Sequence, residues 1–453
     1  MNDQNRFDPG SIGTFRVVDR RFDASSRTLS LGYALDDAVS FTETITFETA
    51  PDDDGSADAA GFDRALLHLH MAAGTSYYKA AAPPVILLEH DGLTAAEQRF
   101  HHALYDQGLR EFALANGLPV PRAVEIEQCS TPVEPPRPTG LCRPGGLLVP
   151  IGGGKDSMVL IEAVRDLAPT LFAVNPHPLV LELARQTGLE LIVVRRRLSP
   201  ELAALNRAGA LNGHVPITAI VSLIAVVGSF LYGYDTIAMA VERSASEETV
   251  VVGGVPVNHQ YSKSLEFEQL LQSLIAGAID PGLSYGSALR PYSELAIARA
   301  FAGLTGYHAT FCSCNTVFRQ TAGAGDGWCG NCPKCRFVAL MLAPYLSPEA
   351  VTAIIGRDLF ADPLQVPGFA ALMSDRDKPF ECVGERRESA AAMRVLSGLP
   401  RWRETVVVSS LGRTATDMVS EREVTALLTP DSALAFSDPE VASAVDRLLT
   451  AIP

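Results

Sequence analysis

Residues Gly152-Gly153-Gly154-Lys155-Asp156-Ser157 bring three glycines, an amine, a carboxylate and a hydroxyl into six consecutive positions. They follow the apolar run Leu147-Leu148-Val149-Pro150-Ile151 and precede a helical pattern over 158–167. A strand, a glycine loop and a helix N-terminus in that order present backbone N–H groups to a phosphate chain. Glycine lets the main chain approach the anion because no Cβ intervenes. Nucleotide-phosphate binding is the first expectation. The plainer alternative is a glycine-rich turn with no ligand.

A second constellation is Cys312-Ser313-Cys314, followed by Trp328-Cys329-Gly330-Asn331-Cys332-Pro333-Lys334-Cys335. Five of the eight cysteines fall in this stretch. In a cytosolic protein such clustering reads as metal ligation rather than disulfides. A C-x2-C-x2-C run with one thiolate from upstream suits tetrahedral Zn2+. Ferredoxin-type iron–sulfur ligation shares the spacing, and free thiols without metal are a third reading. Spacing alone leaves both Cys312 and Cys314 open as the upstream ligand. A closed four-thiolate site has no open position for substrate, so its role would be structural.

Periodicity and punctuation supply the elements that must hold these groups. Over 1–140, Phe15-Arg16-Val17-Val18, Thr28-Leu29-Ser30-Leu31-Gly32-Tyr33 and Phe41-Thr42-Glu43-Thr44-Ile45-Thr46-Phe47 alternate as strands do. Helical patterns follow over 63–71 and 95–116, so this region reads as an N-terminal α+β domain, suited to substrate binding. Pro132, Pro135, Pro136, Pro138 and Pro144 mark a linker. Over 145–345, strand candidates at 147–151, 171–174, 191–195 and 236–241 alternate with helical segments. That is the α/β class, with a parallel, doubly wound sheet. Ligands of such sheets sit beyond the carboxyl ends of the strands. Those ends carry the glycine loop, Asn175, Arg195-Arg196-Arg197 and Glu242-Arg243-Ser244. Residues 346–453 read as mainly helical.

At 453 residues the chain can form two or three domains with sizeable cores. A net charge of −15 disfavours a general nucleic-acid binder. Residues 215–234 carry no charge over 20 positions, the length of a membrane span. Pro216, Thr218, Ser222, Gly228, Ser229 and Gly233 dilute the run, and Asp235 follows without a basic flank. A helix buried between layers is the better reading. Met1-Asn2-Asp3-Gln4-Asn5-Arg6 has no apolar core of a secretory signal. The expectation is a cytoplasmic protein acting on a small molecule, without nucleic acid or membrane as partner.

Two common phosphate loops are excluded. The Walker loop needs Ser or Thr after its lysine, and Asp156 stands there. The dinucleotide fingerprint needs glycine at its sixth position, which is Ser157. The remaining pattern resembles the PP-loop of the N-type ATP pyrophosphatases, Ser-Gly-Gly-x-Asp-Ser. Gly153, Gly154, Asp156 and Ser157 match it, and Gly152 replaces the first serine. The resemblance implies ATP as a substrate, split between its α and β phosphates to adenylate an oxygen. Gly153, Gly154 and Ser157 would cradle phosphate, with Gly152 beside them. Asp156 would hold Mg2+ or cap the helix start. Lys155 would offset charge on diphosphate or point to solvent, and Asn175 would meet adenine or ribose. A relative in that superfamily, 7-cyano-7-deazaguanine synthase, has a similar Ser-Cys … Cys-x-x-Cys-x-x-Cys zinc site. By that likeness Cys314, Cys329, Cys332 and Cys335 are the ligands.

Further segments sharpen the resemblance. They are Tyr77-Tyr78-Lys79-Ala80, residues 102–112, Leu211-Asn212-Gly213-His214-Val215-Pro216, Glu242-Arg243-Ser244-Ala245-Ser246, Asn258-His259-Gln260-Tyr261-Ser262-Lys263-Ser264 and Lys378-Pro379-Phe380-Glu381-Cys382-Val383-Gly384. With the loop and the cysteines, the chain resembles the UDP-N-acetyl-α-D-muramoyl-L-alanyl-L-glutamate epimerase family from about residue 65 to 390. The resemblance implies an ATP-dependent inversion of the terminal L-Glu of UDP-MurNAc-L-Ala-L-Glu through an acyl-adenylate, in peptidoglycan precursor synthesis. Candidates for the α-proton base are His259, Cys382, Glu242, His214 and Lys263. Each of these also has a structural or substrate-orienting reading. Tyr78, Lys79, Arg195 and Arg243 are candidates for substrate binding, the arginine run having a solvated strand end as its plainer reading. The competing functions are a PP-loop ligase that amidates or couples an adenylated carboxylate, and a zinc-stabilised ATP-binding module without catalysis.

Overall fold

Alternation of apolar and polar side chains, strictest in β3 and interrupted in β1 by a register shift between Val17 and Arg20, builds the first three strands, β1 (Thr14–Asp23), β2 (Thr28–Leu35) and β3 (Val39–Phe47), as an antiparallel meander. The computed structural model describes residues 6–48, 60–130, 146–317, 327–376 and 378–450. The proline-rich stretch expected as a linker lies outside the described residues. Two short strands, β4 (Val85–Leu88) and β5 (Glu125–Gln128), extend the meander in parallel from β1.

The expected parallel strands form as β6 (Leu147–Pro150), β7 (Thr170–Val174), β8 (Leu191–Arg197) and β9 (Thr236–Met239). They are joined by a two-stranded hairpin, β10 (Val250–Val252) and β11 (Val255–Val257), and by β12 (Ser284–Ser287). β6, β7 and β9 are short and almost wholly apolar, as strands buried on both faces must be. One ten-stranded sheet results, in the order β12-β9-β6-β7-β8-β3-β2-β1-β4-β5. Its β12-β9-β6-β7-β8 part is parallel, and the direction of winding reverses between β6 and β9.

Two apolar cores lie on opposite faces of the sheet. Leu148, Phe172 and Ile237 point into one, while Leu147, Val149, Leu171 and Ala173 point into the other. The first core is covered by the helices Ala60–Ala73 and Ile217–Tyr232. The latter is the uncharged stretch, buried on nearly all sides. No helix among the described residues is long and apolar enough to cross a membrane. The second core holds Lys155–Ala163, Glu294–Gly303, Pro333–Leu342 and the helices of the last hundred residues.

β3 pairs antiparallel with β8, so the meander and the parallel strands share one sheet. Arg196 crosses this seam to Glu43 with two bonds of 2.7 and 3.0 Å, and its guanidinium also donates to Ser76 Oγ. The pair is almost completely buried. Removing one partner of such a pair strands a charge and costs about 3–5 kcal/mol.

Candidate active site

The reversal between β6 and β9 opens a crevice at the carboxyl ends of two adjacent strands. The glycine loop leaves β6, and Glu242 follows β9. Gly153 adopts φ +83°, and a Cβ there would meet Val180 Cγ2 at 3.0 Å. A Cβ on Gly152 would meet nothing within 4 Å. The helix Lys155–Ala163 starts at Gly154 with no side-chain cap, which leaves its first N–H groups unpartnered by any cap. Ser157 Oγ donates to Gly154 O at 2.9 Å. Gly152, Gly154, Asp156 and Ser157 line a cavity of about 400 Å³.

Beneath the loop lies a carboxylate cluster. Asp156, Glu242 and Glu294 bring oxygens within 4.8 Å of one another. Lys155 is buried and paired with both Asp156 and Glu294. It does not extend to solvent, one of its two expected placements. Burial on its own would raise Asp156, but Lys155 and Lys334 outweigh it and hold the carboxyl below its usual range. Asp156 does not cap the helix either; Gly154 occupies that position. Hard oxygen donors in this number suit Mg2+.

Across the cavity is a thiol and imidazole cluster. Cys382 lies in the segment before the helix Arg386–Gly398, and Lys263 at the end of a short 3-10 turn, Tyr261–Lys263. Lys263 Nζ stands 3.5 Å from Cys382 Sγ, and both residues line the cavity. His259 pairs through Nδ1 with Glu111, and its imidazole lies close enough to the same thiol to act on its charge. Burial alone pushes the Cys382 thiol up, but the Lys263 ammonium and the His259 contact bring it down to about 6. His259 moves the opposite way: burial lowers it, and Cys382 and Glu111 raise it to about 9. These opposite shifts favour a thiolate beside an imidazolium. His214 lies against His259 with ring centroids 4.6 Å apart, and burial, then His259, lowers it to about 4.

Cys314, Cys329, Cys332 and Cys335 gather their sulfurs within 4.8 Å, at 3.4, 3.8 and 3.9 Å for the closest pairs. A tetrahedron with metal–sulfur bonds of about 2.3 Å has edges of about 3.8 Å, so the four thiols could hold a metal. Backbone N–H groups of Cys329, Asn331 and Cys335 point at three of the sulfurs. Cys312 stands outside these four thiols. The Cys312 N–H instead holds Gly153 O at 3.3 Å, and Ser313 and Asn315 line the cavity. Lys334, inside the cysteine run, donates to Cys382 O at 2.5 Å. The cluster therefore anchors two walls of the cavity.

The other expected residues are placed elsewhere. Asn175 uses its amide on the backbone of Arg196, at 2.7 and 2.9 Å. Arg195 pairs with Glu48 on the β3 side. β7 reaches the cavity with Phe172 and Val174, but Asn175 turns to β8, which lies one strand further from the crevice. Tyr78 is buried and bonds Pro83 O at 2.9 Å. Lys79 holds Asn212 Oδ1 at 2.5 Å, on the loop that carries His214. Arg243 reaches Leu427 O at 3.4 Å. Sequence reasoning missed Glu111, Glu294 and Lys334 as site residues. Glu111 lies within the distinctive 102–112 segment and Lys334 within the cysteine run. Glu294 carried no signal beyond its place after the capping Ser293.

Residues 6–288 match the family model of the MurL N-terminal domain, and residues 310–426 that of the MurL C-terminal domain. The chain is 43% identical over 411 residues to UDP-N-acetyl-alpha-D-muramoyl-L-alanyl-L-glutamate epimerase of Salinispora tropica, covering 88% of each chain. A protein of the same name from Xanthomonas oryzae pv. oryzae is 41% identical over 406 residues, covering 89% of this chain and 90% of its own. Another from Micromonospora sp. is 42% identical over 399 residues, covering 86% and 87%. No solved structure matches the chain.

Proposed function

This chain belongs to the UDP-N-acetyl-alpha-D-muramoyl-L-alanyl-L-glutamate epimerase family, and on that premise we propose how its residues invert the terminal L-Glu of UDP-MurNAc-L-Ala-L-Glu with ATP consumed to AMP and diphosphate. The α-proton of a free carboxylate is very hard to remove, because the carbanion places negative charge beside negative charge. Adenylation cancels the carboxylate charge and makes the carbonyl an electron sink. A base then takes the proton, return to the opposite face inverts the centre, and hydrolysis frees the D-Glu product.

The loop acts as a PP-loop in this scheme. Gly152, Gly153, Gly154 and Ser157, with the uncapped helix start, receive the phosphates. Asp156, Glu242 and Glu294 have the donor chemistry for Mg2+, which when bound offsets phosphate charge. Phe172, Val174, Ile217 and Met239 give the cavity an apolar wall for the adenine. Cys314, Cys329, Cys332 and Cys335 have the donor set for structural Zn2+. The acid–base group for the α-carbon is the Cys382–His259 pair, with Glu111 orienting the imidazole. Regions 1–140, 145–345 and 346–453 contribute, in turn, Glu111, the loop with His259 and Lys263, and Cys382. The site belongs to a cytoplasmic enzyme of peptidoglycan precursor synthesis.

One observation carries this reading. The Cys382 thiol, with Lys263 3.5 Å away and His259 behind it, opens on the same cavity as an uncapped glycine loop. The test is incubation with ATP, Mg2+ and UDP-MurNAc-L-Ala-L-Glu in deuterated water. AMP, diphosphate and deuterium at the glutamate α-carbon are expected. AMP without deuterium would point to a ligase, and no AMP would point to a binding module.

A further inference from the structure

One proton acceptor is enough to exchange an α-proton, yet the Cys382 thiol that lines the cavity has the His259 imidazole beside it, with the Glu111 carboxylate behind that imidazole. A nucleophile within hydrogen-bond reach of a base, itself oriented by a third group, is the arrangement of covalent acyl transfer. The thiol shares its cavity with Gly152, Gly154 and Ser157, where an acyl-adenylate would form. The Lys263 ammonium stands 3.5 Å from the sulfur. We propose that Cys382 takes the glutamyl group from the adenylate as a thioester, and that inversion takes place on that thioester. This rests on the epimerase reading above.

Each step balances. The Cys382 thiolate attacks the acyl carbon, the bond from that carbon to the AMP oxygen breaks, and AMP leaves with the electron pair. The departing AMP phosphate takes the proton of His259, and the neutral imidazole then takes the α-proton. The enolate charge forms on the thioester oxygen. A cavity water gives a proton to the opposite face of the α-carbon and becomes hydroxide. That hydroxide attacks the thioester carbonyl, the C–S bond breaks, and Cys382 leaves as the thiolate beside the His259 imidazolium. The net reaction is substrate, ATP and water to epimer, AMP and diphosphate, with no oxidant or reductant. Departure of AMP before deprotonation removes a phosphate charge from beside the enolate. The covalent bond also keeps the planar intermediate in place.

The test uses the full-length protein with ATP, Mg2+ and UDP-MurNAc-L-Ala-L-Glu, quenched in acid from milliseconds to seconds. Intact mass and peptide mapping should find the substrate, less one water, on Cys382, and neutral hydroxylamine should release it. Cys382→Ala should still exchange labelled diphosphate into ATP while forming no adduct. Its deuterium incorporation should fall by about 10³-fold or more. Deuterium at the α-carbon from the wild-type protein with no adduct at any quench time would overturn the thioester and leave the epimerase reading standing. Deuterium incorporation by Cys382→Ala at the wild-type rate would overturn it as well. Failure of the wild-type protein to form AMP or incorporate deuterium would remove both. If Cys382→Ala does not fold, the wild-type quench decides alone.

Discussion

Two sets of cysteines in this molecule meet opposite surroundings. Cys314, Cys329, Cys332 and Cys335 face one another and receive backbone N–H groups. Cys382 faces an ammonium and an imidazole, and its thiol opens on a cavity. The first arrangement closes a coordination sphere and leaves no room for substrate. The second leaves a thiolate with a free approach. Residue type is the same in both; it is the neighbours that differ. The two sets also touch, since Lys334 springs from the cysteine run and holds Cys382 O.

The sharpest way to break this contrast is to replace one cysteine from each set. Cys382→Ser should lower epimerisation by about 10⁴-fold and leave the melting temperature nearly unchanged, the loss expected for a residue acting only on the reaction. A parallel loss of stability would show that Cys382 is a packing residue. Cys332→Ser should do the reverse in kind, with bound metal lost and stability reduced by about 4 kcal/mol, followed by metal analysis and thermal unfolding. Unchanged metal content would remove it from the ligand set.

Smaller changes test the neighbours. Glu111→Gln keeps the size of the side chain but removes the charge that holds His259 protonated. Activity should fall by about 10- to 100-fold. The acid limb of the rate profile should move up from near pH 6, because a less cationic His259 stabilises the Cys382 thiolate less. An unshifted limb would show that Glu111 does not act through His259. Alkylation by iodoacetamide should follow the same order. With the Cys382 thiol brought down to about 6, its rate should fall about tenfold per unit below that pH, while metal ligation would protect the other four. Preferential labelling of the four would reverse the contrast. The smallest effect belongs to Gly152→Ser, which restores the serine of the PP-loop pattern. Its Cβ meets open space, so stability should change by less than about 0.5 kcal/mol. A larger loss would mean that the loop packs more tightly than its geometry shows.

Parts of this were readable along the chain. β6, β7 and β9 are near-continuous apolar runs, and β3 alternates strictly, so these strands announce themselves. β5 has Ile126 and β12 has Tyr285 as their sole large apolar residues, too little for a pattern to stand out. The seam between β3 and β8 had no local signal, because pairing of distant strands leaves no mark in either. Arg195-Arg196-Arg197 looked like a phosphate patch for the same reason. Arg196 is in fact committed to Glu43, 153 residues away in sequence.

The sequence by itself determined the glycine loop, the four-cysteine spacing and the strand and helix alternation around them. Each of these is a short-range pattern, written by the steric needs of a turn, a metal-sized tetrahedron or a buried strand. Only the tertiary structure decided that Glu111, His259, Lys263 and Cys382 meet, and that they meet beside the loop. Their spacing of 111, 259, 263 and 382 has no period. They converge because β6 and β9 are adjacent at the point where the winding reverses, and the segments that carry them pack around that one crevice. The same convergence decides the chemistry of Cys382, since a thiol becomes a thiolate only when cations from distant parts of the chain are brought to it.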